Sequence, residues 1–240
     1  MIVVLALFGL FESALFPEYD LIEETYNPAR LARERVAFTC AGQQKFGLAD
    51  LRSCAGYIQC GRVGLTLHSF GNPYYREQRI GLGFGFPAGP AVSAGFEATL
   101  LNCRIPQRIP LWGYALKAGC RLDLDRSGIE IWLNNINRPV FTSGDRLPLS
   151  AALRAEYAAV RRLTLYAAAM GREDGSPNVR FGLLLDPAPA ARIQAGVATD
   201  PVLIEYGIRL TAGRLRCLYT GSLHPRLGLT HCLGLSCLPR

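Results

Sequence analysis

The chain has little lysine, little histidine and no long internal apolar run, and each shortage removes a class of protein. Of its 26 basic residues only Lys45 and Lys117 are lysines, and the arginines are scattered, with no aromatic-basic motif among them. The formal charge of +7 therefore lacks the run or patch that a nucleic acid needs, which excludes nucleic-acid binding. Arginine in such excess suits fixed ion pairs better than a loose basic tail. After the first sixteen residues no stretch approaches the roughly 20 apolar residues of a transmembrane helix. Nor does any segment after residue 35 carry a helical period. The eight cysteines, at 40, 54, 60, 103, 120, 217, 232 and 237, include no C-x-x-C pair, so neither a zinc site nor a redox motif is signalled. Several stand within alternating segments, where cysteine acts as a small hydrophobe. Disulfides stay open, and the sequence assigns no pairing. Nothing in the chain calls for a metal or a cofactor.

What is present begins with "MIVVLALFGLFESA", an apolar core with a small-residue exit at Ser13-Ala14. This reads as a secretory signal over residues 1–14, without the usual positive start. A short helix is expected around "NPARLAR", within a segment 15–34 that precedes the first strand. From there to the C-terminus runs one pattern, shown most plainly by "RIGLGFGFPAGPAVSAGFEATL" at 79–100. Ile80, Leu82, Phe84 and Phe86, then Val92, Ala94, Phe96, Ala98 and Leu100, take every second position. Small groups and a carboxylate fill the gaps. Such alternation, punctuated by "FGNP", "DRSG", "TSGD", "DGSPN" and "HPR", predicts strands near 35–43, 51–59, 61–70, 76–87, 91–103, 111–124, 128–137, 147–157, 161–171, 178–186, 190–199, 202–212, 214–223 and 226–237. That makes fourteen. Tight connections alternate with longer ones such as "RIPQRIP" and "RPVFTSGDR", as in a membrane barrel with short periplasmic turns and longer outer loops.

The two faces differ sharply. One parity carries Leu149, Leu153, Phe181, Leu183, Ile204, Ile208, Leu229 and Leu233, with His231 as its one titratable histidine. The other carries Glu97, Lys117, Arg121, Asp123, Glu130, Arg154, Glu156, Arg180, Arg192, Gln194, Glu205, Arg209 and Arg216, both signs interleaved with Gly, Ser and Thr. A soluble sandwich serving as a binding module would turn the apolar face inward and wet the charged one. A membrane barrel would do the reverse. Scarce lysine, and glycine crowding beside long charged side chains, favour a lumen over a wetted surface. Strand lengths of about ten residues suit a tilted bilayer crossing, and closure removes the edges that lipid does not tolerate. The reading is an all-β fold: a closed antiparallel transmembrane β-barrel over residues 35–240, with outer-membrane lipid around it. The charged residues are the candidate site, as a lumen network that fixes barrel shape.

Apparent catalytic motifs dissolve on inspection. "GLGFG" at 81–85 spaces its glycines by two, unlike a nucleotide loop, and no helix follows. "AVSAG" at 91–95 lacks the first glycine of a nucleophile elbow and opens a strand. His68, His224 and His231 stand alone, so no enzyme is predicted. Trp112, Tyr114 and Trp132, with Tyr74 and Tyr75 at a loop mouth, are expected in an interfacial aromatic girdle.

The two ends carry a resemblance. "YNPARLAR" at 26–33 is similar to the "NPA-x-L-A" element before strand one in outer-membrane proteins of the PorV/PorQ type, relatives of the FadL transporters. The closing "LRCLYTGSLHPRLGLTHCLGLS" resembles their last hairpin, and the strand count is similar too. The PorV resemblance implies a role in type IX secretion, with secretion-system subunits or cargo signal domains as partners. The FadL resemblance implies diffusion of hydrophobic molecules through a barrel plugged by its N-terminal segment. Either way, Asn27, Pro28 and Ala29 would seat residues 15–34 in or under the lumen of a bacterial outer-membrane barrel.

Overall fold

The computed structural model describes residues 27–33, 35–141, 146–173, 175–199 and 202–237. The expected export signal, 1–14, and the first part of the expected plug, 15–26, lie outside them. The strands are β1 (Arg35–Gln44), β2 (Arg52–Gly61), β3 (Val63–Asn72), β4 (Tyr75–Pro87), β5 (Val92–Arg104), β6 (Leu111–Asp123), β7 (Ser127–Asn134), β8 (Ser150–Val160), β9 (Leu163–Arg172), β10 (Gly175–Ala188), β11 (Ala191–Thr199), β12 (Val202–Ala212), β13 (Leu215–His224) and β14 (Gly228–Cys237). Each pairs antiparallel with its sequence neighbours, and β1 pairs with β14, so fourteen strands close into a barrel without an edge.

Burial is inverted relative to a sandwich. Phe84, Phe96, Leu183 and Leu233 face outward at 37%, 55%, 39% and 68% exposure. Glu130, Arg154, Glu97 and Arg121 point inward at 2%, 4%, 6% and 7%. Phe84 stacks against Phe86 and Phe96 on the outer wall, not in a central core. A surface of this kind is stable only against hydrocarbon.

The strand pattern departs from expectation mainly around the β7–β8 connection. β7 ends at Asn134 rather than 137, because Asn135 adopts a left-handed φ of 56°, a conformation that asparagine tolerates. β8 begins at Ser150 rather than 147, since Pro148 has no N–H for the ladder. The described residues of the connection instead fold back inside. Leu147 N–H donates to the Pro139 carbonyl at 2.9 Å, and Asn135 Nδ2 donates to the Pro148 carbonyl at 2.9 Å. Phe141 and Leu147 are thereby buried against Leu101, Ala115 and Leu111 of the inner wall. The aromatic expectation needs two corrections. Trp112 and Tyr114 do face outward, but Trp132 has the parity of Glu130 and is buried in the lumen at 6% exposure. Tyr75 turns inward to donate its hydroxyl to Glu77. All eight cysteines are free thiols.

Candidate functional site

The lumen is built in two storeys. At the short-turn end, residues 27–33 enter the barrel before β1 and form a five-residue 3-10 helix, Pro28–Ala32. Asn27 caps it by accepting from Ala29 N–H at 3.0 Å, and Pro28 occupies the first turn, where a missing N–H costs nothing. Asn27, Pro28, Ala29 and Leu31 are all buried.

The inner wall accepts this helix because it is glycine there. A Cβ on Gly95 would stand 2.3 Å from the Pro28 carbonyl oxygen, and one on Gly85 would stand 2.4 Å from Ala32 N. Both obstacles are backbone, so neither can swing away. Gly119 leaves similar room for the Asn27 side chain, and Gly64 and Gly83 for Leu31. The small-residue parity of β3 to β6 is thus a docking floor for the chain's own N-terminal element.

Polar contacts hold the element from the side. Asn27 Nδ2 donates to the Cys120 carbonyl at 3.0 Å. Arg30 pairs with Glu130 at 2.6 Å. Glu130 also contacts Arg154 at 3.4 Å and pairs with Arg121. Arg121 reaches Asp123 at 2.6 Å and Glu156 at 2.7 Å, while Arg33 reaches Asp123 at 3.3 Å. Gln59, fully buried, donates to the Arg33 carbonyl at 3.0 Å and accepts from the Tyr57 hydroxyl at 2.9 Å. Of the sequence-predicted residues, Arg121, Asp123, Glu130, Arg154 and Glu156 therefore meet in one cluster, joined by Arg30 and Arg33. Lys117 and Glu97 form a separate pair at 3.3 Å, with Thr99 donating to Glu97 at 2.8 Å.

On the far wall, Arg180 pairs with Glu205 at 3.5 Å. Arg192 binds Asp186, with Nη2 to Oδ2 at 2.7 Å. Arg192 and Arg209 stand opposite each other in the β11–β12 register, and Arg216 is on the next strand opposite Thr211. Arg180 of β10 is thus the partner of the Glu205 carboxylate. Gln194 is buried beside Gly207, where the room for its amide is left by glycine.

Among the described residues, apolar side chains cluster inside the barrel in three places, one of them Leu31 of the docked helix with Ala37 and Tyr57. At the long-loop end, Leu101, Leu111 and Ala115 meet the inward-folded Phe141 and Leu147. On the opposite wall, Tyr166, Leu184 and Leu218 pack together, with Ala168 beside them. Asp186, Tyr57, Gln59 and the glycine floor were not singled out from sequence. The glycine parity was the available signal, since glycines on one face must leave space for something.

No protein-family model matches the sequence, and no curated protein matches it either. Solved structures do. The Ralstonia pickettii toluene transporter TbuX superposes with a TM-score of 0.66 at 8% identity, covering 92% of this chain and 94% of that one. The monoaromatic hydrocarbon channel CymD gives 0.64 at 9%, covering 92% and 93%. A Pseudomonas aeruginosa FadL homologue gives 0.55 at 13%, covering 93% and 94%. Across nearly its whole length this chain has the barrel fold of FadL-like outer-membrane channels.

Proposed function

We propose that this protein is an outer-membrane channel that passes small hydrophobic molecules, with residues 27–33 as the closure of its short-turn end. The observation that carries the reading is the docked helix Pro28–Ala32 on its glycine floor, with Leu101, Leu111, Ala115, Phe141 and Leu147 packed together across the lumen nearer the long connections. An apolar molecule entering from that end can replace the contacts of Phe141 and Leu147 with the inner wall, while the ionic cluster beneath offers it no comparable partner. The similar barrels described as toluene and monoaromatic hydrocarbon channels support that substrate class. By the general asymmetry of such barrels, the short turns and both ends of the strand run face the periplasm, and the longer connections face outward.

The PorV resemblance leads to a second reading, docking of exported cargo. That role needs a broad outer platform, and here Phe141 and Leu147 of the connection between β7 and β8 are spent on filling the lumen. Transport is the reading that uses the observed interior. The test is uptake by porin-deficient cells whose lipopolysaccharide outer leaflet, unlike a phospholipid bilayer, retards apolar molecules. Cells carrying the wild-type protein should take up toluene faster than cells without it, while still excluding a hydrophilic sugar of similar size. Cells carrying a chain that lacks residues 27–33 should admit both. Toluene uptake no faster than in cells without the protein sinks the proposal.

A further inference from the structure

The outer wall is apolar almost everywhere, but the strip formed by β1 to β5 is layered along the strand axis. Its register defines transverse rows of outward residues. One row reads Leu100, Ile80, Leu67, Gly56 and Cys40. One step toward the long loops, the row reads Asn102, Gln78, Ser69, Cys54 and Gly42, small or polar throughout, with Asn102 itself buried where it accepts from Arg104. One step further stand Arg104, Arg76 and Gly71, followed by Arg52 opposite Gln44. Arg52 lies one step beyond Ser53, the partner of Phe70, and so stands against Gly71. All three arginines are exposed.

No carboxylate lies on the outward parity of these five strands. Arg104 donates from Nε to Asn102 at 3.1 Å, and neither Arg52 nor Arg76 has an ion-pair partner among the described residues. A depression of about 560 Å³ opens at the same level, lined by Arg52, Arg76, Gly42, Gly71, Tyr219 and His231. Tyr219 and His231 share a hydrogen bond of 2.7 Å at its rim. Trp112 and Tyr219, outward residues of the polar row, mark the level at which aromatic side chains meet lipid headgroups.

We propose that this strip binds the phosphate groups of an anionic lipid in the outer leaflet, through Arg52, Arg76 and Arg104. Uncompensated guanidinium groups form a fork-shaped match to phosphate oxygens. Below them the polar row and the depression take a sugar headgroup, and the rows from Leu100 to Cys40 downward lie against acyl chains. Free phosphate would use only the first layer, and a soluble acidic protein would not reach the last two. The occupant is therefore a phosphorylated glycolipid. The proposal rests on the membrane-barrel reading.

The test uses the full protein in detergent, with native mass spectrometry reading retained lipid. The probes are lipid A with both phosphates and the same lipid with none. Wild type should prefer the phosphorylated form by about a hundredfold, at about fivefold per arginine close to a charged lipid. The triple variant Arg52→Gln, Arg76→Gln, Arg104→Gln should lose that preference. A charge-matched control, Arg126→Gln, Arg161→Gln, Arg214→Gln at the short turns, should keep it. Equal retention of the two lipids by wild type, or an unchanged preference in the Arg52 triple variant, overturns the site. Displacement of lipid A by millimolar inorganic phosphate alone also overturns it, as does a dimer that the triple variant abolishes. Heat-modifiable migration and insertion into vesicles are recorded on the same samples. A barrel that inserts but ignores phosphate defeats this inference alone, whereas a chain soluble without detergent defeats the channel reading with it.

Discussion

Replacing Gly95 with alanine should release the N-terminal element while leaving the barrel closed. The new Cβ would stand 2.3 Å from the Pro28 carbonyl oxygen, roughly 1 Å inside van der Waals contact. The oxygen belongs to the backbone of a helix pinned by Asn27 and Arg30, so relief requires the whole element to move. Overpacking of this kind costs about 1–3 kcal/mol. Because the docked and undocked states share the same barrel, that cost falls on the docking equilibrium and raises the undocked fraction by about 5- to 150-fold. The control is Gly42→Ala on the outer wall, where a Cβ meets nothing within 4 Å. Planar-bilayer recordings should show longer or more frequent open events for Gly95→Ala only. Heat-modifiable migration should stay native for both. If Gly95→Ala conducts as Gly42→Ala does, the glycine floor is not what seats the helix. If Gly95→Ala fails to fold, the floor belongs to the barrel rather than to the plug.

Other substitutions test the remaining parts. Glu130→Gln leaves Arg30, Arg121 and Arg154 around a neutral amide and should destabilise the folded barrel by about 3–5 kcal/mol, read as a lower urea midpoint. Leu183→Arg on the outer parity should cost roughly 2–4 kcal/mol in folding into vesicles near the bilayer midplane. Ser222→Arg on the inner parity, opposite Glu205 in the register, should fold nearly as well as wild type; equal losses for the two would reverse the assignment of faces. Phe141→Ala should loosen the β7–β8 connection, at a cost of about 3–5 kcal/mol in its docking, and limited proteolysis between 135 and 149 should accelerate. A membrane-permeant maleimide should label Cys40 and Cys217 on the outer wall, whereas a charged thiol reagent should not.

The wall was legible because a barrel strand writes its two environments on alternate residues. Fourteen strands, the closed topology and the outward placement of Phe84, Phe96 and Leu183 all follow from parity. So does the inward direction of Glu130, and it should have carried Trp132 with it, two residues along. Aromatic identity suggested a girdle, but position on the pleat decides which side a residue meets. Pairings inside the lumen were less readable. Asp186 rather than a neighbouring glutamate takes Arg192, and Arg180 rather than Arg209 takes Glu205, because long side chains choose partners across several strands. No one-dimensional period encodes that choice. The inward fold of Phe141 and Leu147 lay beyond it for a related reason: a loop has no register, and only the apolar wall it meets explains where it goes.

The hairpin of β4 and β5 shows how one stretch of alternating sequence meets two unrelated demands. Its even positions, from Ile80 to Leu100, must be apolar because lipid is on that side. Its odd positions must shrink to Gly83, Gly85 and Gly95 because a helix lies on the other. The chemistry of the hold follows from this division. A floor of leucines would bury the helix by area alone and grip it in every conformation, since apolar contact has no direction. A glycine floor offers shape without much adhesion, and leaves the grip to Leu31 against Ala37 and Tyr57, Arg30 on Glu130 and Asn27 on Cys120. Desolvating such ions nearly cancels their attraction, so the docked state gains little net energy but loses much when one partner is missing. On the channel reading proposed above, a closure held in that way shuts the lumen against ions yet yields without dismantling its wall.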